Sequence, residues 1–479
     1  MLNKRKFAAL VISAVLLGSM AACSSQSSGE ESENGARIEN TVNAGTLSDN
    51  TVRKSDSTSA NGITSANNST SADSSTAANG STSADSSTAA NGSTTENGST
   101  SADSSKQSDD TDSTAVSITS TGKLDTTDLF SKRDLSQEAD LTDARTIQAE
   151  DNTTSTITEE GVYIITGSAS NFTVKVEADK EAKVQLVLDG LTVTNDSTPV
   201  IYVVSADKCF VTTTGSTSTL SVTGAFTADG DTNTDAVIFS KDDLVFNGTG
   251  TLTITSSNGN GISGKDDIKF TGGTYNITSA LDSIEANDSI AVYDGTFSIT
   301  SSKDGLHSED SDDDSTGWIY IYGGTFNITA ASDSIQATTV AQIDGGTLTL
   351  ISSEGIEATY VQINGGDISI TASDDGINGS QKSRSFGTPT IEFNGGTVTI
   401  VMGQGDTDAV DVNGNVIVNG GTIDITATVS SFDYDGTAQY NGGTIIINGS
   451  QVSSIPQSMM GGGRMGGMGG MGGFGGRGF

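Results

Sequence analysis

Two glutamates three residues apart, Glu354 and Glu357, close the stretch "GGTLTLISSEGIEA", residues 345–358. Asp282 and Glu285 close "GGTYNITSALDSIEA" from Gly272 in the same way, and Asp333 takes the first place in "GGTFNITAASDSIQA" from Gly323. Aligned on the glycines, one column of side chains reads Asp235, Asn260, Asp282, Asp304, Asp333, Glu354, Asp375, Asp408. Three residues on, a second reads Ile238, Ser263, Glu285, His307, Gln336, Glu357, Asn378, Asp411. If the repeats stack at the ~4.8 Å spacing of neighbouring strands, successive carboxylates repel by roughly 1 kcal/mol in water and about 3.5 kcal/mol at an effective dielectric of 20. Such a column needs positive company. Hard oxygen donors suit Ca²⁺, which accepts six to eight oxygens in flexible geometry. Turns with acids in both columns (Asp282 with Glu285, Glu354 with Glu357, Asp408 with Asp411) are expected to ligate it, with Asp304, Asp333 and Asp375 in the same column. Zinc fits poorly, because His307 is the only histidine and Cys209 lies in another region. The alternative for any one aspartate is a turn cap that bonds backbone amides. The acidic insertion "SEDSDDDSTG", residues 308–317, reads equally as a further Ca²⁺ loop or as a solvated one.

A second chemistry follows that insertion in "WIYIYGG". With Ile319 and Ile321 on the inward parity, Trp318, Tyr320 and Tyr322 point outward, and Tyr293 holds the column of Tyr322 one repeat earlier. Flat apolar rings among threonines and asparagines match a sugar face. The other reading is a patch covered by the insertion or by a terminal segment.

The elements that must position these groups follow from the repeat. The second glycine of each pair, or its equivalent, falls at Gly250, Gly273, Gly295, Gly324, Gly346, Gly366, Gly396, Gly421 and Gly443, a spacing near 22 residues. It is lengthened around residues 308–317, 379–388 and 401–407, where insertions must sit in loops. After the glycines, apolar residues alternate with Thr, Ser and Asn: Tyr275 and Ile277, Phe297 and Ile299, Phe326 and Ile328, on to Ile445 and Ile447. No helix-length pattern intervenes. The expected fold is all-β, a parallel β-helix of about 22 residues per turn. A β-sandwich or a string of small β domains would not require the same side chains at one register through eight turns.

The 479-residue chain carries a formal charge of -37, which disfavours nucleic acid as a partner and attracts cations. Residues 1–22 read as a signal peptide, with Lys4, Arg5 and Lys6 before an apolar run and "AAC" at the cut. Cys23 is then expected to be lipidated and to anchor the protein to the outer face of a Gram-positive-type membrane; ordinary secretion is the alternative. Residues 23–126, rich in Ser, Thr, Ala and Asn with "STSADSSTAANG" twice in tandem, are expected to form a disordered tether. Residues 127–450 form the expected β domain, opening with a helix or irregular cap between Asp128 and Ala149. Residues 451–479 form a Gly/Met-rich tail. Two cysteines give no disulfide framework, and a monomer is expected.

The runs "DAVIFSKDDLVFNGTGTLTI", "GNGISGKDDIKFTGGTYNI" and "DGINGS", with "VIYVVSADKCFVTT" before them, resemble the clostridial-type secreted carbohydrate-binding β-helix domain, akin to pectate lyases. The likeness spans about Phe130 to Gly449. It implies a right-handed coil, bound Ca²⁺ and binding of plant-type or acidic polysaccharide without demonstrated cleavage. The leading expectation is therefore a lipid-anchored, Ca²⁺-dependent polysaccharide-binding protein. A lyase or hydrolase on the same scaffold remains open, with Lys303, Lys382 or Arg384 as base or Asp374 and Asp375 as an acid pair, and so does an adhesin or structural stalk.

Overall fold

The computed structural model describes residues 124–404 and 407–457, all within a unit that spans Thr100–Phe479. The signal, Cys23, nearly all of the tether and most of the tail lie outside the described residues. Among those described there are 36 strands and no helix. Strand Thr296–Ser301 shows why: Phe297 and Ile299 are buried while Thr296, Ser298 and Thr300 face solvent, the period-2 pattern of a half-buried strand. Its neighbours pair with it in parallel, Tyr275 with Phe297 and Phe297 with Phe326. The column continues through Leu348, Ile368, Val398, Ile423 and Ile445. Like therefore stacks on like, and the rings of Phe297 and Phe326 lie 4.5 Å apart and 3° from parallel. Each such side chain contributes roughly 1.5–3 kcal/mol by leaving water.

Three solenoid-like stacks of parallel strands enclose this core. One follows the glycine pairs, as in Thr274–Ser279 and Thr296–Ser301. Another precedes them, as in Ser289–Val292 and Trp318–Ile321, and the long strands Gly161–Ser170 and Lys183–Asn195 contribute to both. The third is a separate 12-stranded sheet that carries the acid columns. A hairpin closes the C-terminal end: Thr444–Ile447 pairs antiparallel with Ser450–Val452 across Asn448 and Gly449, both at positive φ (51° and 76°), as a tight "NG" turn requires. Ordered strand thus runs to Val452, past the boundary expected at 450.

The expected helix or cap between Asp128 and Ala149 is not helical, and its last residues are a strand. Arg145–Gln148 pairs in parallel with Tyr163–Thr166. Local side-chain bonds compete with helix before it: Asp125 Oδ1 accepts from Thr127 N at 3.1 Å and Asp140 Oδ1 from Thr142 N at 3.0 Å. Residues 124–143 instead form a strap across the stack that precedes the glycine pairs. Leu124 N donates to Gln342 Oε1 (3.2 Å), Leu129 O accepts from Lys269 Nζ (3.1 Å), and the Arg133 guanidinium lies 4.5 Å over the Phe210 ring. Asp134, fully buried, faces Lys208 Nζ at 3.8 Å. Gln137 clasps the glycine corner, donating to Thr271 O (3.0 Å) and accepting from Gly248 N (2.9 Å). A Cβ on Gly272 would sit 2.0 Å from Gln137 Oε1, so a larger residue there would push the Gln137 side chain out of its clasp.

Candidate functional site

The 12-stranded sheet brings the two acid columns into register. Ser263 pairs with Glu285, Glu285 with His307, His307 with Gln336, Gln336 with Glu357, Glu357 with Asn378 and Asn378 with Asp411. In the first column Asp333 pairs with Glu354 and Asp375 with Asp408. The first turn departs from expectation by one residue: Asn260 faces Ala236 rather than Asp235, and Ser263 faces Phe239 rather than Ile238. The core decides this, because Ile238 must turn inward beneath Ile262.

The first column caps backbone as well as carrying charge. Asn260 Oδ1 accepts from Asp282 N (2.9 Å), Asp282 Oδ1 from Asp304 N (3.0 Å) and Asp304 Oδ1 from Asp333 N (2.9 Å). One oxygen of Asp282 and of Asp304 thus ties its turn to the next, and the other faces the second column. There Asp282 Oδ2 meets Lys303 Nζ at 2.8 Å and His307 Nδ1 at 3.3 Å, and Asp304 Oδ2 lies 3.6 Å from the same lysine and 3.7 Å from the same histidine. Burial raises the Asp282 pKa, but His307 and Lys303 outweigh it and hold the carboxyl at about 2. Burial lowers the His307 pKa, but bonds to Asp282 and Glu309 carry it up to about 9. The expected partner of Asp282 is not its ally: Glu285 Oε2 accepts from Asn260 Nδ2 (2.9 Å) and Ser263 Oγ (2.8 Å). Asp282, Asp304 and His307 do cluster within 4.8 Å, yet the protein's own cations answer them.

Further along, Asp333, Glu354 and Glu357 bring carboxylate oxygens within 4.8 Å of one another. Glu357 pairs with Lys382 from the 379–388 insertion. With its amide nitrogen toward the acids, Gln336 donates to Asp304 Oδ2 (3.2 Å) and Asp333 Oδ2 (3.1 Å). Asn378 donates to Glu354 Oε2 at 2.9 Å. Burial, followed by the charges of Glu354 and Asp304, still pushes Asp333 up to about 8. Burial does the same to Asp375, also about 8, with Asp411, Glu354, Asp374 and Asp408 around it, and takes Asp411 to about 6. The ligand atoms that Asp333, Glu354 and Glu357 bring together are carboxylate oxygens, the set that suits a hard divalent cation, while Asp375, Asp408 and Asp411 line up in register beyond them.

A further acid cluster went unassigned in the sequence. Asp243, Asp266 and Asp267 converge within 4.8 Å, from the repeated "KDD" of residues 241–243 and 265–267. Lys208 Nζ stands 3.7 Å from Asp243, so this group too has a cation of its own. Also unforeseen was an amide ladder from the residue preceding each glycine pair. Asn364 donates to Asp344 (2.6 Å), Asn394 to Asn364, Asn419 to Asn394 and Asn441 to Asn419 (each 2.8 Å). The fourfold "NGG" was its signal.

The aromatic expectation divides. Trp318 and Tyr320 do lie on the parity opposite Ile319 and Ile321, but they are only 5% and 3% exposed. Leu124, Leu129 and Phe130 of the strap, with Phe386 of the insertion, cover them, and Tyr320 Oη donates to Asp344 Oδ2 at 2.8 Å. They are not a free sugar-binding face. Tyr293 and Tyr322, 37% and 51% exposed, stack with centroids 4.9 Å apart and planes 13° from parallel.

With this geometry in view, the chain's relatives are informative. The sequence model of a family described as "carbohydrate-binding domain-containing protein" matches residues 151–409. A carbohydrate-binding domain-containing protein of Acetivibrio thermocellus is 33% identical over 125 residues, 25% of this chain and 43% of the relative, so the chain spans less than half of that relative's length. A solved structure, that of the polysaccharide lyase-like protein from C. thermocellum in a gadolinium derivative, is similar at a TM-score of 0.38 and 26% identity, over 47% of this chain and 93% of that one. The family match covers more than half of the residues, and the chain belongs to the family of carbohydrate-binding domain-containing proteins.

Proposed function

We propose that this protein binds polysaccharide in a Ca²⁺-dependent way, without cleaving it, from a lipid anchor at Cys23 on the outer face of the cell. On this reading a right-handed coil of about 22 residues per turn is held off the membrane by the tether, and plant-type or acidic glycans are the ligands. Family membership supplies the polysaccharide. The observation that supports the cation is the run of crowded carboxylates from Asp333 through Glu354 and Glu357 to Asp375, Asp408 and Asp411, two of them held up at about 8. When bound, Ca²⁺ would neutralise that run and let it meet uronate carboxylates, which an acidic chain otherwise repels. Asp282 and Asp304 fit the ion less well, since Lys303 and His307 already serve them. Two candidate lyase bases are likewise committed, Lys303 to Asp282 and Lys382 to Glu357, which favours binding over catalysis.

Calorimetry with CaCl₂, followed by polygalacturonate titration with and without EDTA, tests this reading. Saturable Ca²⁺ uptake lost in Asp375→Asn/Asp411→Asn, and glycan binding lost in EDTA, are expected. No heat of Ca²⁺ binding, or equal polygalacturonate binding in EDTA, overturns it. Unsaturated product absorbing in the ultraviolet would move the reading to a lyase.

A further inference from the structure

The exposed tyrosines belong to a column that ends abruptly. Tyr293 N bonds Phe270 O and Tyr322 N bonds Val292 O, both at 2.8 Å, so Thr271, Tyr293 and Tyr322 occupy one position in three successive turns. Stacked turns put a ring every ~4.8 Å, and Tyr322 covers one face of Tyr293 at nearly that spacing. On the other side, where the next rung would lie, the chain has threonine and then a corner of glycines. Phe130 packs on Tyr293 with centroids 5.4 Å apart and planes 69° apart, so no parallel ring completes the stack. What remains is a cavity of about 510 Å³ between the strap and the glycine corner, well inside the ~300–1,000 Å³ of small-molecule sites.

Its lining is specific in kind. Tyr293 forms a flat wall, Gly272 and Gly273 a floor without side chains, and Gln137 the strap side, with Thr249, Thr274 and Asp294 around them. Asp294 Oδ1 accepts from Gly295 N at 2.8 Å, and the residue is exposed. A larger residue at Gly273 would be strained, since its φ is +92°. Among the described residues, no lysine, arginine or histidine lines the cavity, and the one charged residue there is Asp294.

We infer that this slot binds one neutral pyranose of a glycan, which takes the place of the missing ring beneath Tyr293. The apolar face of the sugar stacks on the tyrosine, as aromatic rings do on one another. Its hydroxyls donate to Asp294 and exchange hydrogen bonds with Thr249 and Thr274. A uronate is disfavoured by Asp294 and by the lack of a cation among the described lining residues. The inference rests on the carbohydrate reading above but names a different ligand class at a different place, away from the 12-stranded sheet, and it requires no metal.

The test uses the full chain and neutral oligosaccharides of β-linked glucose, xylose and mannose, with a galacturonate oligomer beside them, each titrated in EDTA and in CaCl₂. At least one neutral oligosaccharide is expected to bind equally in both buffers. Tyr293→Ala should weaken it roughly tenfold or more, Asp294→Ala about threefold or more, and Tyr293→Phe should retain it. Saturation-transfer NMR should place the contact on one terminal or internal ring. Asp294→Ala, at an exposed corner, keeps the test decisive if Tyr293→Ala fails to fold. Failure of every neutral sugar, or neutral binding indifferent to both Tyr293→Ala and Asp294→Ala, overturns the slot. Galacturonate binding that survives in CaCl₂ alone while the neutral arm fails would sink the slot and spare the Ca²⁺ reading; the reverse pattern would do the opposite.

Discussion

Replacing Asp333 by asparagine asks directly whether the acid column stores repulsion. The side chain is 5% exposed, and burial with Glu354, Asp304 and Glu357 beside it lifts its carboxyl from 3.8 to about 8. The sign follows from linkage. In the unfolded chain the group ionises above about pH 4, whereas the folded turn resists ionisation until about pH 8. Stability from this group is therefore lost progressively as pH rises through that interval and is level above it. At pH 7 the cost has an upper bound of about 4 kcal/mol. Glu354 and Glu357 share the repulsion and solvent reaches the turn, so half of that, about 2 kcal/mol, is the working figure.

Asparagine keeps the shape and removes the charge. In EDTA at pH 7, Asp333→Asn should be more stable than the parent by about 2 kcal/mol, a rise in Tm of roughly 3–6 °C. At pH 5 the gain should shrink to below about 1 kcal/mol. Urea unfolding and calorimetry at pH 5, 7 and 9 measure both. In excess CaCl₂ the order should invert on the proposed reading, because an ion at 100 times its Kd stabilises the parent by about 2.7 kcal/mol and the variant less. A variant equal to or weaker than the parent at pH 7 to 9 in EDTA would show that the column is already neutral, and the reasoning would fail.

Two other outcomes are expected. His307→Gln should cost about 2–3 kcal/mol near pH 6, because the histidine pKa is raised to about 9; that stability is full below about pH 6.5 and lost as pH climbs through 9, so a pH-independent difference between the two proteins would contradict the assignment. Asp134→Ala strips one of two carboxylates from buried Lys208, 3% exposed, which keeps Asp243 at 3.7 Å, so the cost should be about 1–3 kcal/mol; the strap should lift, and the emission of Trp318, the chain's single tryptophan, should shift to the red and become quenchable by iodide. Unchanged emission with intact strands would show that the strap does not depend on this ion pair.

The core was legible in the sequence because its rule is local. Period-2 alternation after a glycine pair names Phe297 and Ile299 as inward, and stacking repeats the choice turn after turn. The acid register was legible for the same reason, except at Asp235, where the inward Ile238 shifted the count by one. What could not be read was the company of the acids. Lys303 and Lys382 stand in loops without periodic constraint, where they looked like free bases, yet they lie against Asp282 and Glu357. Trp318 and Tyr320 were assigned the right parity and the wrong exposure. Parity is set by the strand itself, but exposure depends on a strap nearly two hundred residues earlier, whose apolar Leu124, Leu129 and Phe130 stand out only once the face they cover is known.

This distribution of charge bears on how many ions the protein would hold. A solvent cation gains most where the chain supplies none of its own. Around Asp282 and Asp304, Lys303 and His307 must first be displaced, and a buried imidazolium must lose its proton, so binding there is opposed. At Asp333 and Glu357, Gln336 and Lys382 offset part of the charge. Around Asp375 and Asp411, the charged groups that move each carboxyl upward are other carboxyls. On the Ca²⁺ reading, the sites should therefore number fewer than the acids suggest. Mutating Lys303 to methionine then carries a clear sign: it should create Ca²⁺ uptake at Asp282 and Asp304 that the parent lacks, seen as an added step in the calorimetric isotherm, and an isotherm identical to the parent's would mean that lysine is not what keeps the ion out.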